Sequence, residues 1–154
     1  TSEHAVILND ADAAGLAEMR FGDESLKQYE VVMFLTVGTG IGSALFVRGQ
    51  LMPNTELGHL EIRGKDAEHR ASAGIKTREK LTFKQWAARF NEVLLTYEAL
   101  LNPEIFVLGG GISSSFEKYS KYFTTKVPVV AAKLQNLAGI IGAAMAAHEK
   151  YPQK

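Results

Sequence analysis

The stretch VVMFLTVGTGIGSALFV, residues 31–47, restricts the fold more than any other part of the chain. Val31–Val37 is an apolar run rich in β-branched side chains and reads as a strand. Gly38, Gly40 and Gly42 interrupt it, and apolar sequence resumes over residues 43–48 as a second strand. Two such runs divided by glycines predict a hairpin, with the next turn at Gly49-Gln50. Residues 59–63 alternate weakly and are expected to add a third strand.

Around this hairpin the pattern switches between the two periodicities. Residues 5–8 form a short apolar run ending in Asn9-Asp10, a buried strand with polar groups at its tip. Residues 11–20, rich in alanine, leucine and methionine, predict a helix. Residues 21–30 read as a loop, and residues 66–80 are polar and helix-compatible. Thr82 is placed to cap a long helix over 83–101, whose apolar positions Phe83, Trp86, Phe90, Val93, Leu94 and Tyr97 recur at helical spacing. Asn102-Pro103 ends it. Residues 105–108 predict a buried strand stopped by Gly109, Gly110 and Gly111. A helix over 116–125, a strand over 128–134 and a closing helix over 138–150 complete an α/β pattern with a mixed sheet flanked by helices.

Composition removes several classes of function. The chain has 154 residues, 46% hydrophobic and 22% charged, which suits one domain with a core and not disorder. Lys+Arg and Asp+Glu balance at 17 each, which disfavours a nucleic-acid binder that relies on a basic surface. There is no cysteine, so disulfides, thiolate metal sites and cysteine nucleophiles are excluded. No apolar run is long enough to span a bilayer and no signal peptide opens the sequence, so a cytoplasmic protein without membrane contact is expected. Acids dominate residues 1–30. Bases dominate residues 63–80, either as a solvated helix face or as a surface turned toward an anion.

Four motifs can carry chemistry. Gly38-Thr39-Gly40-Ile41-Gly42-Ser43 can line a phosphate nest with backbone N–H groups, although it is neither a Walker loop nor a dinucleotide fingerprint. Without a ligand it is a glycine-rich turn. Asn9-Asp10 can provide a general base for a hydroxyl and an amide to hold that hydroxyl. Alternatively, Asp10 or Asp12 caps the helix that follows. Glu56-Leu57-Gly58-His59 can hold the hydroxyls of a polyol, or belong to a plain surface loop; two ligands without a third make a weak metal site. Residues 107–113 run from a buried strand into three glycines, where a ligand can approach the backbone or a tight turn can form.

In this order the motifs resemble the ROK family of sugar kinases. The strings NDADAAGLAEMRFG, LTVGTGIGSALF and PNTELGHLEIRGKDAEHRAS are similar to the branch that phosphorylates glucose from inorganic polyphosphate, often with a nucleoside triphosphate as alternative donor. The resemblance covers nearly the whole chain. It implies a ribonuclease-H-like lobe of the actin-like ATPase and sugar kinase fold. Residues 1–30 would close the N-terminal lobe and residues 31–154 would form the C-terminal one. No Asp-x-Gly-Gly-Thr phosphate loop occurs, and the chain starts at Thr1, so the N-terminal lobe is expected to lie outside this sequence.

Carried over by matching position, Asp10 would be the general base on the glucose 6-hydroxyl, and Asn9 would bond the sugar. Glu56 and His59 would hold ring hydroxyls. Glu68 matches the glutamate that closes the zinc motif in other members, where it also touches sugar. Gly38, Thr39, Gly40 and Gly42 would form a phosphate loop, and Gly109, Gly110 and Gly111 the donor-side loop. Mg²⁺ would accompany polyphosphate or ATP. Zinc is not expected, because the cysteines of its motif are missing. Expected partners are glucose, polyphosphate or ATP, the other lobe, and a second copy in a homodimer. A track of Lys65, Arg70, Lys76, Arg78 and Lys80 is expected to steer the polyanion. The alternatives are a non-catalytic, repressor-like sugar-binding domain, a kinase of this family restricted to ATP, and an isolated folding domain.

Overall fold

The computed structural model describes residues 8–135 and 140–141. Its centre is the hairpin of β1 (Val31–Val37) and β2 (Ile41–Val47), paired antiparallel from Val31↔Val47 to Val37↔Ile41. A turn at Arg48-Gly49, both in the left-handed region (φ 52° and 75°), leads into the edge strand β3 (Gln50–Met52). The turn therefore sits one residue before its expected place, and Gln50 opens a strand. This edge strand, and not residues 59–63, is the third strand of the main sheet. In its expected place a 3₁₀ turn, Leu57–His59, is followed by a separate two-residue ladder of β4 (Glu61–Ile62) and β5 (Lys65–Asp66) around Arg63-Gly64.

The helices fill the two faces of the sheet. Helix α1 (Asp10–Phe21) lies on one face, where Ala14 and Ala17 pack with Val32, Phe34, Phe46 and Leu26. Short side chains on that helix let it rest close to the strands. The expected helix over 66–80 is two helices, α2 (Ala67–Ala71) and α3 (Ala73–Arg78). Ser72 separates them in extended backbone (ψ 161°), and its hydroxyl caps α3 by accepting from Ile75 N–H at 3.3 Å. Helix α4 (Phe83–Leu101) starts in a full capping box between Thr82 and Gln85 and ends at Asn102 in the left-handed region. Its apolar face, Trp86, Phe90, Val93, Leu94 and Tyr97, covers Met33, Leu35 and Val37 on the sheet's other face. Alternate strand residues thus enter opposite cores, as a sheet buried on both sides requires.

Strand β6 (Ile105–Gly109) pairs parallel with β1, and β7 (Val129–Ala131) pairs parallel with β6. The main sheet is therefore mixed, ordered β3-β2-β1-β6-β7. The α-helix expected over 116–125 is instead two 3₁₀ segments, Gly111–Lys118 and Ser120–Tyr122. Ser113 and Ser114 donate their hydroxyls to the Gly110 and Gly111 carbonyls, three residues back, and compete with a regular helical ladder. Buried Tyr119 then packs against Trp86 and Phe116. The expected loop 21–30 holds a 3₁₀ turn, Glu24–Gln28, capped by Asp23. The strand expected at 5–8 and the closing helix at 138–150 lie outside the described residues, apart from Leu8 and the helical residues 140–141.

Gly110 ends β6 in a conformation reserved for glycine, φ 82° and ψ 180°. A Cβ there would stand 2.6 Å from the Val37 carbonyl oxygen, at the end of β1. Gly110→Ala is expected to lower stability by at least about 1–3 kcal/mol. Urea unfolding checks this: the midpoint falls at unchanged slope, and an unmoved midpoint contradicts the reading.

Candidate active site

The hairpin tip, the start of α1 and the segment before α2 meet around a cleft of about 520 Å³. Asn9, not Asp10 or Asp12, caps α1. Its backbone is extended (φ −72°, ψ 164°), and its Oδ1 accepts from Asp12 N–H at 2.7 Å. Asp10 is consequently the first helical residue, exposed at the cleft wall.

The glycine loop is held from behind. Gly38 N–H donates to the Gly40 carbonyl at 3.0 Å, Gly74 N–H of α3 donates to the Gly38 carbonyl at 3.0 Å, and Ile41 N–H donates to Glu68 Oε2 at 3.3 Å. Two of the loop's N–H groups are therefore occupied within the protein. Those of Thr39 and Gly40 take no partner among the described residues and are the ones a phosphate can meet.

Glu56 is presented by a loop fixed on three sides. Asn54 N–H donates to Asp12 Oδ2 at 2.9 Å. Buried Ser43 donates its hydroxyl to the Thr55 carbonyl at 2.5 Å, and Thr55 Oγ1 donates to the Ser43 carbonyl at 3.0 Å. Leu57 N–H donates to Ser43 Oγ at 3.2 Å, and the Tyr97 hydroxyl donates to the Leu57 carbonyl at 2.6 Å. Burial, and then the Glu68 charge, push the Tyr97 phenol far above its ordinary value, so it remains a donor. Gly58 follows because a Cβ there would stand 2.1 Å from the Ile41 carbonyl oxygen.

His59 leaves this loop toward a pair of carboxylates. Its Nδ1 is 3.2 Å from Asp66 Oδ2 and 3.6 Å from Glu68 Oε1. The Asp66 hydrogen bond, then the Glu68 charge, raise the imidazole above its ordinary pKa. His59, Asp66 and Glu68 offer ligand atoms within 4.8 Å of one another, a spacing a cation can use, although His59 and Asp66 already satisfy each other.

Most of the expected residues converge. Asn9, Asp10, Gly38, Thr39, Gly40, Gly42, Glu56, Glu68 and Gly110 line the cleft; His59 is not among the lining residues, and its Nδ1 lies 3.6 Å from Glu68 Oε1. Gly109 is buried within β6 with its Cα side against the Phe34 ring, and Gly111 opens the 3₁₀ segment; neither lines the cleft. Sequence reasoning missed Thr36 and Thr55, placed Ser43 only at the end of the glycine motif, and took the wholly buried Asp12 for a possible cap. The signal for Asp12 was a charge set among Ala11, Ala13 and Ala14 on a packed helix.

The basic run divides. Arg63 and Arg70 clasp Glu92, with Arg63 Nε at 3.0 Å and Arg70 Nη2 at 2.5 Å, so Arg70 is an internal ion-pair partner and not part of an open track. Burial alone would raise the Glu92 carboxyl, but the two guanidinium groups outweigh it and hold the pKa below the ordinary value. Lys76 sits over the Phe83 ring, 4.2 Å from its centroid.

A mixed sheet in this order, with helices on both faces and a glycine hairpin at the cleft, is the architecture of the ROK sugar kinases of actin-like fold. The ROK family glucokinase of Streptomyces griseus, solved with glucose and AMPPNP, superposes with a TM-score of 0.76 over 94% of this chain and 68% of its own, at 21% identity. Within that fold the chain is similar to polyphosphate glucokinases over the part of them that it spans. It is 48% identical over 145 residues to polyphosphate glucokinase of Mycobacterium leprae and 49% over 144 residues to that of Mycobacterium tuberculosis strain CDC 1551, each match covering 94% of this chain. Those matches cover 44% and 54% of the relatives, so the chain spans about half their length. The inorganic polyphosphate/ATP-glucomannokinase of Arthrobacter sp. strain KM superposes with a TM-score of 0.90 at 44% identity, covering 94% of this chain and 56% of its own. No protein-family model matches the sequence. No helix among the described residues is long and apolar enough to cross a membrane.

The His59 shift gives a direct test. Asp66→Asn removes its largest cause, so the imidazole titration midpoint, followed by NMR, is expected to fall toward that of an ordinary histidine. The protonated form is then lost at lower pH than in the parent. A midpoint that stays in place contradicts the geometry.

Proposed function

We propose that this chain provides the sugar-holding and phosphate-facing part of a glucokinase that uses inorganic polyphosphate, with a nucleoside triphosphate as a second donor. The observation that carries this reading is the convergence of Asn9, Asp10, Glu56 and Glu68 with the Gly38–Gly42 loop on one cleft. Supporting it are the relatives named polyphosphate glucokinase and the neighbour named polyphosphate/ATP-glucomannokinase. Those proteins are about twice as long, and residues 31–154 are read as one lobe; of residues 1–30, whose sequence suggests the end of a preceding lobe, α1 and Leu26 pack on the sheet of residues 31–154 and are read with it.

In the proposed reaction glucose lies with its ring hydroxyls on Glu56, His59 and Glu68 and its 6-hydroxyl on Asp10. Asp10 accepts the hydroxyl proton as O6 attacks the terminal phosphorus. The bond from that phosphorus to the bridging oxygen breaks, and polyphosphate one unit shorter leaves. Little covalent help is needed; alignment and charge neutralisation dominate phosphoryl transfer. Thr39 and Gly40 N–H groups face the transferred phosphate. The Thr36 and Thr39 hydroxyls that line the cleft are hard oxygen donors that would hold Mg²⁺ beside the donor's phosphates, leaving the Asp10 carboxylate to take the proton. When bound, that ion would neutralise phosphate charge. Of the basic run, Lys65, Lys76, Arg78 and Lys80 are left to guide a long polyanion, with Lys76 and Arg78 on α3, the helix whose Gly74 N–H holds the Gly38 carbonyl.

Asp10→Asn in the full-length enzyme is expected to reduce kcat by about 10²–10⁴, with glucose affinity changed only a few-fold. A coupled assay for glucose 6-phosphate with polyphosphate and with ATP measures it. A loss of under about threefold would return Asp10 to a residue of the helix start and remove the base.

A further inference from the structure

We propose that Asp12 is a positioning residue that locks the Glu56 loop to the start of α1, so that the sugar-holding and base-bearing groups keep one register. The proposal rests on the glucokinase reading above and assigns a role to a side chain that reading leaves unused. Asp12 is fully buried, one residue beyond Asp10 and Ala11 on the first turn of α1. Two hydrogen bonds converge on it. Its backbone N–H donates to Asn9 Oδ1 at 2.7 Å, which orients the Asn9 side chain. Its Oδ2 accepts from Asn54 N–H at 2.9 Å, two residues before Glu56. Asn54 is in the left-handed region (φ 59°), so its N–H is aimed by a sharp turn and not by a regular ladder.

Asp12 Oδ1 is buried and has no hydrogen-bond partner among the described residues, and leaving a buried polar atom unmade is costly. Burial raises the carboxyl pKa; the Asn54 N–H opposes this, and the neighbouring Glu56 charge adds to it. Ser43 and Tyr97 hold Thr55 and Leu57 to the sheet and to α4, whereas Asp12 is the tie to the helix that bears Asn9 and Asp10. Loss of that tie would let the loop drift relative to Asp10 while the phosphate loop, held by Glu68 and Gly74, stays in place.

The test compares Asp12→Ala, Asp12→Leu and Asp12→Asn in the full-length enzyme, with glucose and polyphosphate varied separately. Alanine and leucine cannot accept the Asn54 N–H, and leucine also fills the space; asparagine keeps an acceptor oxygen. Both apolar variants are expected to raise the glucose KM about tenfold and leave the polyphosphate KM within about twofold, while Asp12→Asn restores the glucose KM. An unchanged glucose KM in a folded apolar variant overturns the proposal, as does an equal rise for both substrates. Failure of both apolar variants to fold makes Asp12 a structural residue and also overturns it. Asp10→Asn run in parallel separates the two claims. If it stays active, the glucokinase reading falls; if it is inactive while the apolar variants bind glucose normally, only the Asp12 proposal falls.

Discussion

The N–H of Ile41 donates to Glu68 and the N–H of Gly74 donates to the Gly38 carbonyl, so the tip of the central hairpin hangs from α2 on one side and α3 on the other. Each such bond adds about 0.5–1.5 kcal/mol, more where a carboxylate accepts. Their structural effect is larger than that figure suggests. A glycine loop without them would sample many conformations, and a phosphate would have to order it on arrival. With them, the amides of Thr39 and Gly40 are presented on a fixed frame, which is what positioning catalysis requires. Glu68 also stands 3.6 Å from His59, so the clamp on the glycine loop and the His59–Asp66–Glu68 cluster share one carboxylate.

That frame exists because the sheet is buried on both sides. Helix α4 covers one face, and its Tyr97 hydroxyl reaches through to hold the Leu57 carbonyl. Helix α1 covers the other, and its first turn delivers Asn9 and Asp10 to the same cleft. On the α4 side, Trp86 Nε1 donates to the Ala71 carbonyl at 2.8 Å and fixes the end of α2 against α4. The core and the site are therefore built on the same elements, and most polar residues at the cleft are attached to a packed one.

What could be read from the sequence follows the range of the forces involved. Val31–Val37, the capping box at Thr82 and the helix through Leu101 are set by local patterns, and the structure has them at the expected residues. The hairpin-bound glycines and the Asn9-Asp10 and Glu56–His59 motifs were legible because each is short and contiguous. The misplaced elements have nonlocal causes. Residues 59–63 do not join the main sheet, because Ser43 and Tyr97 draw the Leu57 peptide into a 3₁₀ turn. Asp12 resembled a helix cap until Asn9 took that place and Asn54, far along the chain, took its carboxylate. Arg70 looked like an open cation, but Glu92 on α4 neutralises it.

A crystal structure of the full-length enzyme with glucose bound tests the central claim most directly. The account predicts O6 within hydrogen-bond distance of the Asp10 carboxylate, ring hydroxyls on Glu56, His59 and Glu68, and the Asn54–Asp12 bond intact beneath them. Glucose seated away from this cleft, or O6 nearest to a different base with Asp10 turned to solvent, would contradict it.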